Sequence, residues 1–487
     1  MNKSNMSKKE IVLSMLTTFI CHCGLMVVMF CLLLILYGGD VTPIFTTHSK
    51  NVFTVAVASA LFTMIVYSYF FIERKEVLTQ YSKIVEIYLI MSVSLLICGV
   101  IGNYVSLTAR PLLLFPLLAC MFLRRREAIF MNTAFMLIQF VFNRYLNGVE
   151  IVDGSVRIID GLAALLVQFC GGIMAIFLMK NIKTRLGCVL VGLVLMIPVT
   201  IINLIMQIPA LETFDWTEAL LIAMYGVFDC VLSVLAFMAL LPVFEGIFSE
   251  LTAFKLRELT SDSSKLIRVM KQQALGTYNH SLVVAQLAEA CAIAIGEDGE
   301  LARAAAYYHD VGKLKSPEMF AENQSEYDLH RELTPELSVD IIRSHAREGA
   351  KLIKKYRLPE FFADVAVQHH GTMPIKYFFA KALKMSDGEL NAGNYSYAGP
   401  VPNSKIAAII MICDASEAAA RSLSDRSPEK VATLVSSLVE ERMNMEQFVD
   451  CDITMRELTI ITRTVINQLS GVYHMRVKYP KLVLSRK

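Results

Sequence analysis

Tyr308-His309-Asp310-Val311-Gly312-Lys313 sets a His-Asp pair before a turn and a lysine. An adjacent His-Asp is common, and this one stands out by its company. His280 lies upstream, and His345, His369-His370 and Asp414 follow downstream. Seven of the nine histidines lie beyond residue 275, and five of those seven belong to this ordered series. Nearly every member sits on or beside a segment with helical patterning, which suits a helical bundle holding a metal centre.

Outward from that stretch, the 487 residues divide by composition. A mean hydropathy of +0.51 with 55% hydrophobic residues is too high for a water-soluble chain of this length. Long apolar runs fill the sequence up to about Phe248, and charged residues recur every few positions after it. An integral membrane half (1–247) is therefore expected, then an amphipathic connector (248–274) and a cytosolic half (275–487). The formal charge of +2 argues neither for nor against a polyanionic partner, and no nucleic-acid polymer is expected. The eleven cysteines include no CxxC and fall mostly in apolar runs, so no disulfide framework is expected.

Eight spans are expected, at 12–37, 52–72, 86–106, 109–123, 128–147, 158–180, 186–207 and 218–243, against the roughly 20 apolar residues a bilayer core requires. The fourth is short, with Pro111 near its start and Arg124-Arg125-Arg126 at its end. The first is too long for a signal peptide and lacks a small-residue cleavage site, so it reads as a retained anchor. Lys3, Lys8, Lys9, Arg74, Lys75, Lys83, Arg124, Arg125, Arg126, Lys180, Lys183 and Arg185 fall on one set of ends; Lys50, Arg110, Arg144 and Arg157 fall on the other. This asymmetry places both termini in the cytoplasm. Asp229, Asp160 and His22 lie within or at the start of spans, where ionisable groups raise a functional question by default. Cys21-His22-Cys23 is a poor metal site, because neighbouring helix positions point in different directions. For Asp229, a ligand or signalling role competes with an interhelical hydrogen bond. These residues form no obvious transport path.

The connector reads as two short helices interrupted at Ser261-Asp262-Ser263-Ser264, a signal relay or a plain tether. Beyond it, Thr334-Pro335-Glu336, Leu358-Pro359-Glu360 and Ser427-Pro428-Glu429 each place proline at a helix start, and Thr454 to Glu457 has capping-box spacing. Helical periodicity covers 280–294, 299–309, 335–345, 346–356, 359–370, 404–423, 428–443 and 455–470, with no persistent strand alternation. The fold expected is all-α throughout: a multi-span helical membrane domain followed by an all-α cytosolic domain.

Imidazoles and carboxylates without thiolate suit manganese, iron or zinc better than calcium or magnesium. Seven ligands are too many for one open catalytic site and enough for two metals. Asp310 is the natural bridge; His280, His309 and Asp414 would complete one ion, and His345, His369 and His370 the other. Such a pair can activate a bridging water for in-line attack at phosphorus. Lys313 could neutralise charge growing on the phosphoryl oxygens.

His280, His309-Asp310 and Asp414 form the ligand pattern of the HD phosphohydrolase superfamily. The fuller set resembles the seven-transmembrane HD proteins, whose characterised members are bacterial cyclic di-AMP phosphodiesterases. The matching stretches include Gly276-Thr277-Tyr278-Asn279-His280-Ser281, His309-Asp310-Val311-Gly312-Lys313, Glu322-Asn323-Gln324 and Gln368-His369-His370-Gly371-Thr372. They continue through Lys376-Tyr377-Phe378, Gly399-Pro400, Asp414-Ala415-Ser416-Glu417-Ala418-Ala419, Arg421-Ser422-Leu423 and Gly471-Val472-Tyr473-His474. The resemblance implies hydrolysis of cyclic di-AMP to pApA at two metals, manganese or iron, held by the seven residues. It makes Lys313, Tyr377 and Arg421 the candidate substrate contacts. It also implies a multi-pass protein of the bacterial cytoplasmic membrane, with the lipid bilayer and a cyclic dinucleotide as partners; a homodimer is compatible with it.

Several positions depart from the family pattern. Only about Gly39 to Asn51 stands where the family carries a large extracellular domain, which is expected to be lacking. Asn279-His280 replaces a His-His pair, Ser396 and Ala398 replace an arginine and a proline, and Ile406 replaces a frequent acid. Cyclic di-GMP is disfavoured because Gly371-Thr372-Met373-Pro374 follows His370 in place of a Gly-Tyr-Pro motif. The alternatives are an HD hydrolase of another nucleotide, or a nucleotide-binding receptor without turnover. His330 and His474 fall outside the ligand set and read as surface or structural residues.

Overall fold

The computed structural model describes residues 8–38, 46, 48–79, 81–146, 161–180, 182–208, 215–324, 327–386 and 389–472. Asp160 and His474, named above, lie outside these residues. The fold is all-α. Among the described residues, the extended pairing is one isolated antiparallel bridge, Pro374 to Ser396. The chain forms two compact units, Met1–Thr252 and Ala253–Lys487.

Among the described residues of the first unit, six helices are long and apolar enough to cross a membrane: Met15–Leu36, Ser49–Glu73, Ser82–Tyr104, Gly161–Met179, Arg185–Gln207 and Trp216–Phe248. Their outward faces are apolar. Along Arg185–Gln207, Val191, Leu195 and Val199 are buried while Leu190, Val194, Ile197 and Ile201 are exposed, and Ile72 on Ser49–Glu73 is 82% exposed. A helix that is hydrophobic all round belongs in lipid, so this is a multi-pass membrane protein.

The stretch 109–123 is not one continuous helix. Its only helix is Leu114–Phe122, nine residues long, or about 14 Å, under half of a bilayer core. Residues 105–113 are irregular yet largely buried from Leu112 back to Thr108. Irregular backbone at that depth must find its hydrogen bonds in side chains. Leu112 N donates to Asp229 Oδ1 at 3.0 Å, and Cys98 Sγ lies 3.4 Å from the Pro111 carbonyl. Ser233 Oγ donates to the same Asp229 oxygen at 3.0 Å. Asp229 is thus an interhelical acceptor for a broken segment. Arg110 is fully buried with its guanidinium against Gly102, where a Cβ would fall 2.2 Å from its Nε and the side chain would have to shift.

Ion pairs gather one end of this unit. Arg74 meets Glu127 at 3.1 Å, and Lys83 meets Glu86 and Glu250, each at 2.9 Å. At the other end, the Tyr104 hydroxyl donates to the Leu36 carbonyl at 3.3 Å. Residues 105–123 therefore return from the Tyr104 end to the Arg124 end, with half the path irregular. His22 is structural: Nδ1 lies 2.9 Å from the Tyr67 hydroxyl, and the ring stacks on Tyr88 at 4.0 Å.

In the second unit, Ala253–Leu259 and Lys265–Gln273 are short helices joined at 260–264. Leu256, Leu266, Ile267 and Met270 bury their apolar faces. Tyr308 ties this connector down: its hydroxyl donates to the Leu259 carbonyl at 2.6 Å and lies 2.9 Å from Ser264 Oγ. The helices that follow are Leu275–Ile295, Gly299–Tyr308, Pro335–Lys355, Glu360–Gln368, Lys376–Met385, Lys405–Ser422, Pro428–Asn444 and Met455–Val472. Pro335 and Pro428 stand at the first helical position, while Pro359 precedes its helix. The segments read separately at 335–345 and 346–356 are one helix, since no breaker lies between them.

Replacing Asp229 with Leu should leave the Leu112 N–H unsatisfied and destabilise the chain by about 1–3 kcal/mol. Asn, which keeps an acceptor, should cost less. Thermal unfolding in detergent measures both, and equal losses would mean that charge, not the acceptor, matters. Glu457 Oε2 accepts from Thr454 N at 2.7 Å and Thr454 Oγ1 at 2.8 Å, and Thr454 Oγ1 accepts from Glu457 N at 3.2 Å. Glu457→Ala breaks this reciprocal cap and should cost about 1 kcal/mol, read as a melting point lower by a few degrees.

Candidate metal centre

The centre is assembled from helix ends and helix middles. His280 and His345 project from within Leu275–Ile295 and Pro335–Lys355. His309 and His369 cap Gly299–Tyr308 and Glu360–Gln368, which lets Asp310 and His370 follow each directly. Asp414 comes from the middle of Lys405–Ser422. Gly312 lets the His309-Asp310 turn press onto the His345 helix: a Cβ there would fall 1.8 Å from the His345 carbonyl oxygen.

All seven residues converge. Asp310 Oδ2 lies 3.3 Å from His309 Nε2 and 3.6 Å from His280 Nε2. Its other oxygen, Oδ1, lies 3.3 Å from His345 Nε2 and 3.6 Å from His369 Nε2. Asp414 Oδ1 is 2.9 Å from His280 Nε2 and 3.8 Å from His309 Nε2, and Oδ2 is 3.6 Å from His370 Nδ1. The result is two quartets sharing one carboxylate: His280, His309, Asp310 and Asp414, and Asp310, His345, His369 and His370. Within each, the ligand atoms lie within 4.8 Å of one another.

The donor chemistry fits divalent ions. His309, His345 and His369 place Nδ1 at 2.6, 2.6 and 2.9 Å from the carbonyls of Ala306, Ile342 and Ala366. A carbonyl only accepts, so Nδ1 carries a proton and Nε2 is the atom left to face the centre and ligate once it is deprotonated. His280 Nδ1 lies 2.5 Å from Glu417 Oε2, the same device built from a carboxylate. His345 Nε2 and His369 Nε2 face each other at 3.3 Å, an arrangement that two lone pairs tolerate when a cation lies between them. His309 Nε2 and both Asp310 oxygens are buried without a hydrogen bond of good geometry, though each has ion-pair neighbours.

Electrostatics follows from this crowding. Burial opposes the charged form of His309, yet the Asp310 and Asp414 carboxylates override it and raise its pKa to about 10. Burial, with little to offset it, lowers His345 to about 4. Asp310, despite burial, is held well below the usual carboxylate range by Lys313 and His309. Lys313 lies 2.7 Å from both Asp310 Oδ2 and Glu322 Oε1, which keep it charged against burial.

A cavity of about 400 Å³ opens onto the centre, lined among others by Lys313, His370, Tyr397, Asp414, Arg421 and Arg442. Tyr377 is not on this wall; it is 67% exposed with its ring against Phe378. Tyr397 is the aromatic residue at the site, stacked on His370 at 4.1 Å. Sequence reasoning gave no role to Glu322, Tyr397, Glu417 or Arg442. Glu322 and Glu417 lay inside the quoted motif stretches, which was the available signal. His330 is structural: its Nε2 lies 2.8 Å from the Met319 carbonyl, and its ring packs 5.0 Å from Phe378.

Comparison with known proteins can be set beside this geometry. Residues 49–252 match the family described as 7TM receptor with intracellular HD hydrolase, and residues 277–419 match the HD domain. The chain is therefore similar to the seven-transmembrane HD family over its first part and to the HD domain over its second. Among its relatives, the cyclic-di-AMP phosphodiesterase PgpH of Bacillus subtilis (strain 168) is 40% identical over 257 residues, 53% of this chain and 36% of that protein. PgpH of Listeria monocytogenes is 43% identical over 241 residues, 49% of this chain and 33% of that protein. The chain thus spans about a third of the length of these relatives. The crystal structure of the L. monocytogenes PgpH HD domain in complex with cyclic-di-AMP is 43% identical, covering 44% of this chain and 99% of that one, with a TM-score of 0.42.

An imidazolium cannot ligate, so a divalent ion must displace the proton that His309 holds below pH about 10. Apparent Mn²⁺ affinity should therefore rise by about a decade per pH unit between pH 6 and 9 for each proton released, as measured by calorimetry in buffers of different ionisation enthalpy. Glu417→Gln should weaken metal binding about 10- to 100-fold, read as bound metal per chain at limiting Mn²⁺.

Proposed function

We propose that this chain is a membrane-anchored, two-metal phosphodiesterase that hydrolyses cyclic di-AMP to pApA. The observation that carries it is the division of the Asp310 carboxylate, one oxygen toward His280 and His309 and the other toward His345 and His369. The PgpH relatives, named for this activity, supply the substrate. In this reading the seven residues are the metal ligands and the ions are manganese or iron. Residues 1–247 lie in a bacterial cytoplasmic membrane, 248–274 connect, and 275–487 form the catalytic domain in the cytosol, with both termini on that side.

The reaction opens one ring of two phosphodiesters once: a water oxygen bonds to phosphorus, the P–O3′ bond breaks, and the 3′ oxygen takes a proton. Two divalent ions held by the quartets would supply Lewis acidity and make a bound water more acidic. The chain supplies the rest. Glu417 and the three backbone carbonyls hold four imidazoles in the ligating tautomer. Lys313, kept protonated by Asp310 and Glu322, stands where charge grows on the phosphoryl oxygens. Tyr397 and Arg421 offer a ring face and a cation to the rest of the nucleotide.

The test uses the full chain purified in detergent with Mn²⁺, offered cyclic di-AMP, cyclic di-GMP and pApA in parallel, beside Asp310→Ala. Selective conversion of cyclic di-AMP to pApA, abolished in the variant together with bound metal, is the expected result. A wild type that binds two ions and leaves cyclic di-AMP intact would overturn the substrate.

A further inference from the structure

Four cations line the cavity: Lys313, Lys376, Arg421 and Arg442. Three of them have a carboxylate within ion-pair distance. Lys313 has Asp310 and Glu322 at 2.7 Å, Lys376 has Glu441, and Arg421 has Glu417 at 3.8 Å. Arg442 has none among the described residues. It is 8% exposed, its Nη1 donates to the Leu438 carbonyl one turn back at 2.9 Å, and its Nε is buried without a partner.

A guanidinium withdrawn from water with one backbone hydrogen bond is costly. Its sequence neighbour Glu441 is taken by Lys376. Arg442 and Asp414 line the same cavity without pairing. This wall is built at helical spacing: Asp414, Ala418 and Arg421 on one helix, Leu438 and Arg442 on the next. The small residues Ala415 and Ala418 line the same cavity as Arg442. A planar fork of donors with an unused edge matches a phosphate group.

We propose that Arg442 anchors the second phosphate of the bound cyclic dinucleotide, the one that is not cleaved. The assignment rests on the cyclic dinucleotide reading above. Lys313 already serves the metal-bound end from the His-Asp turn, whereas Arg442 comes from a different element and faces the same cavity. A substrate with two phosphodiesters on one ring has an anion for each.

The experiment compares wild type, Arg442→Gln and Arg442→Lys as full chains in detergent with Mn²⁺, on cyclic di-AMP and on bis(4-nitrophenyl) phosphate, which has one phosphodiester. Arg442→Gln should lose about 10- to 100-fold in kcat/KM on cyclic di-AMP, chiefly through KM, the range for a hydrogen bond to a charged group. That loss should exceed the loss on the one-phosphate diester by tenfold or more, and Arg442→Lys should recover part of it with wild-type metal content. Equal losses on the two substrates, or no loss on either, would overturn the assignment. A wild type that cleaves bis(4-nitrophenyl) phosphate and no cyclic dinucleotide removes the substrate reading itself, and the second-phosphate role with it.

Discussion

The cytosolic unit is arranged around a single carboxylate. Asp310 must face two imidazoles with each oxygen while lying on a turn between two helical segments. That demand explains why Gly312 must lie against the His345 backbone, since any side chain there would push the turn away and separate the quartets. It explains Lys313 as well. Four imidazole lone pairs and two carboxylates in a buried space need positive charge, and the lysine three residues on from Asp310 contributes some of it permanently. Glu322, bound to both Lys313 and Thr277, in turn fastens the lysine to the start of the His280 helix.

The seven converging residues were legible in the sequence because each is a rare residue type on or beside a segment of clear helical period. The all-α class was legible for the same reason. What was not legible depends on long-range placement. The family motif points to Tyr377 and gives no signal for Tyr397, whose place beside the centre depends on the pairing of residues 373–375 with 395–397. Ile375 N donates to the Tyr395 carbonyl at 2.8 Å and Tyr397 N to the Met373 carbonyl at 3.0 Å. These bonds carry Tyr397 onto His370 and leave Tyr377 on a helix facing outward. Arg442 was hidden differently: an arginine in the last turn of an amphipathic helix reads as a solvated cation favouring the helix C-terminus. Its burial follows from Lys405–Ser422 packing alongside.

In the membrane unit the sequence marked the right weakness, at 109–123, and the structure supplies its reason. Pro111 and the buried Arg110 prevent a regular helix, so the segment needs acceptors and donors from elsewhere. Asp229 is placed for that duty by its position in the middle of Trp216–Phe248, opposite the irregular stretch. An intramembrane carboxylate that invites a functional reading is here engaged in satisfying backbone. The same logic governs Asn132 and Gln168, whose amides pair at 2.6 Å where Val167–Gly171 widens into a π-turn.

The connector meets the metal centre through Tyr308. Its hydroxyl is bound to Leu259 and lies close to Ser264, and its ring stacks on Phe362 at 5.3 Å, within the helix that ends at His369. Its own backbone leads directly into His309. One side chain therefore touches the connector, the helix that presents the second quartet, and the peptide that presents the first. Packed interiors yield in discrete steps rather than continuously. The connector cannot lift from Tyr308 without breaking a 2.6 Å hydrogen bond one residue away from a proposed ligand, whereas the neighbouring Arg257–Glu300 contact at 3.2 Å is more exposed and weakly held. The Tyr308 hydroxyl and the buried Leu256, Leu266, Ile267 and Met270 therefore hold the connector more firmly than the exposed charges around it.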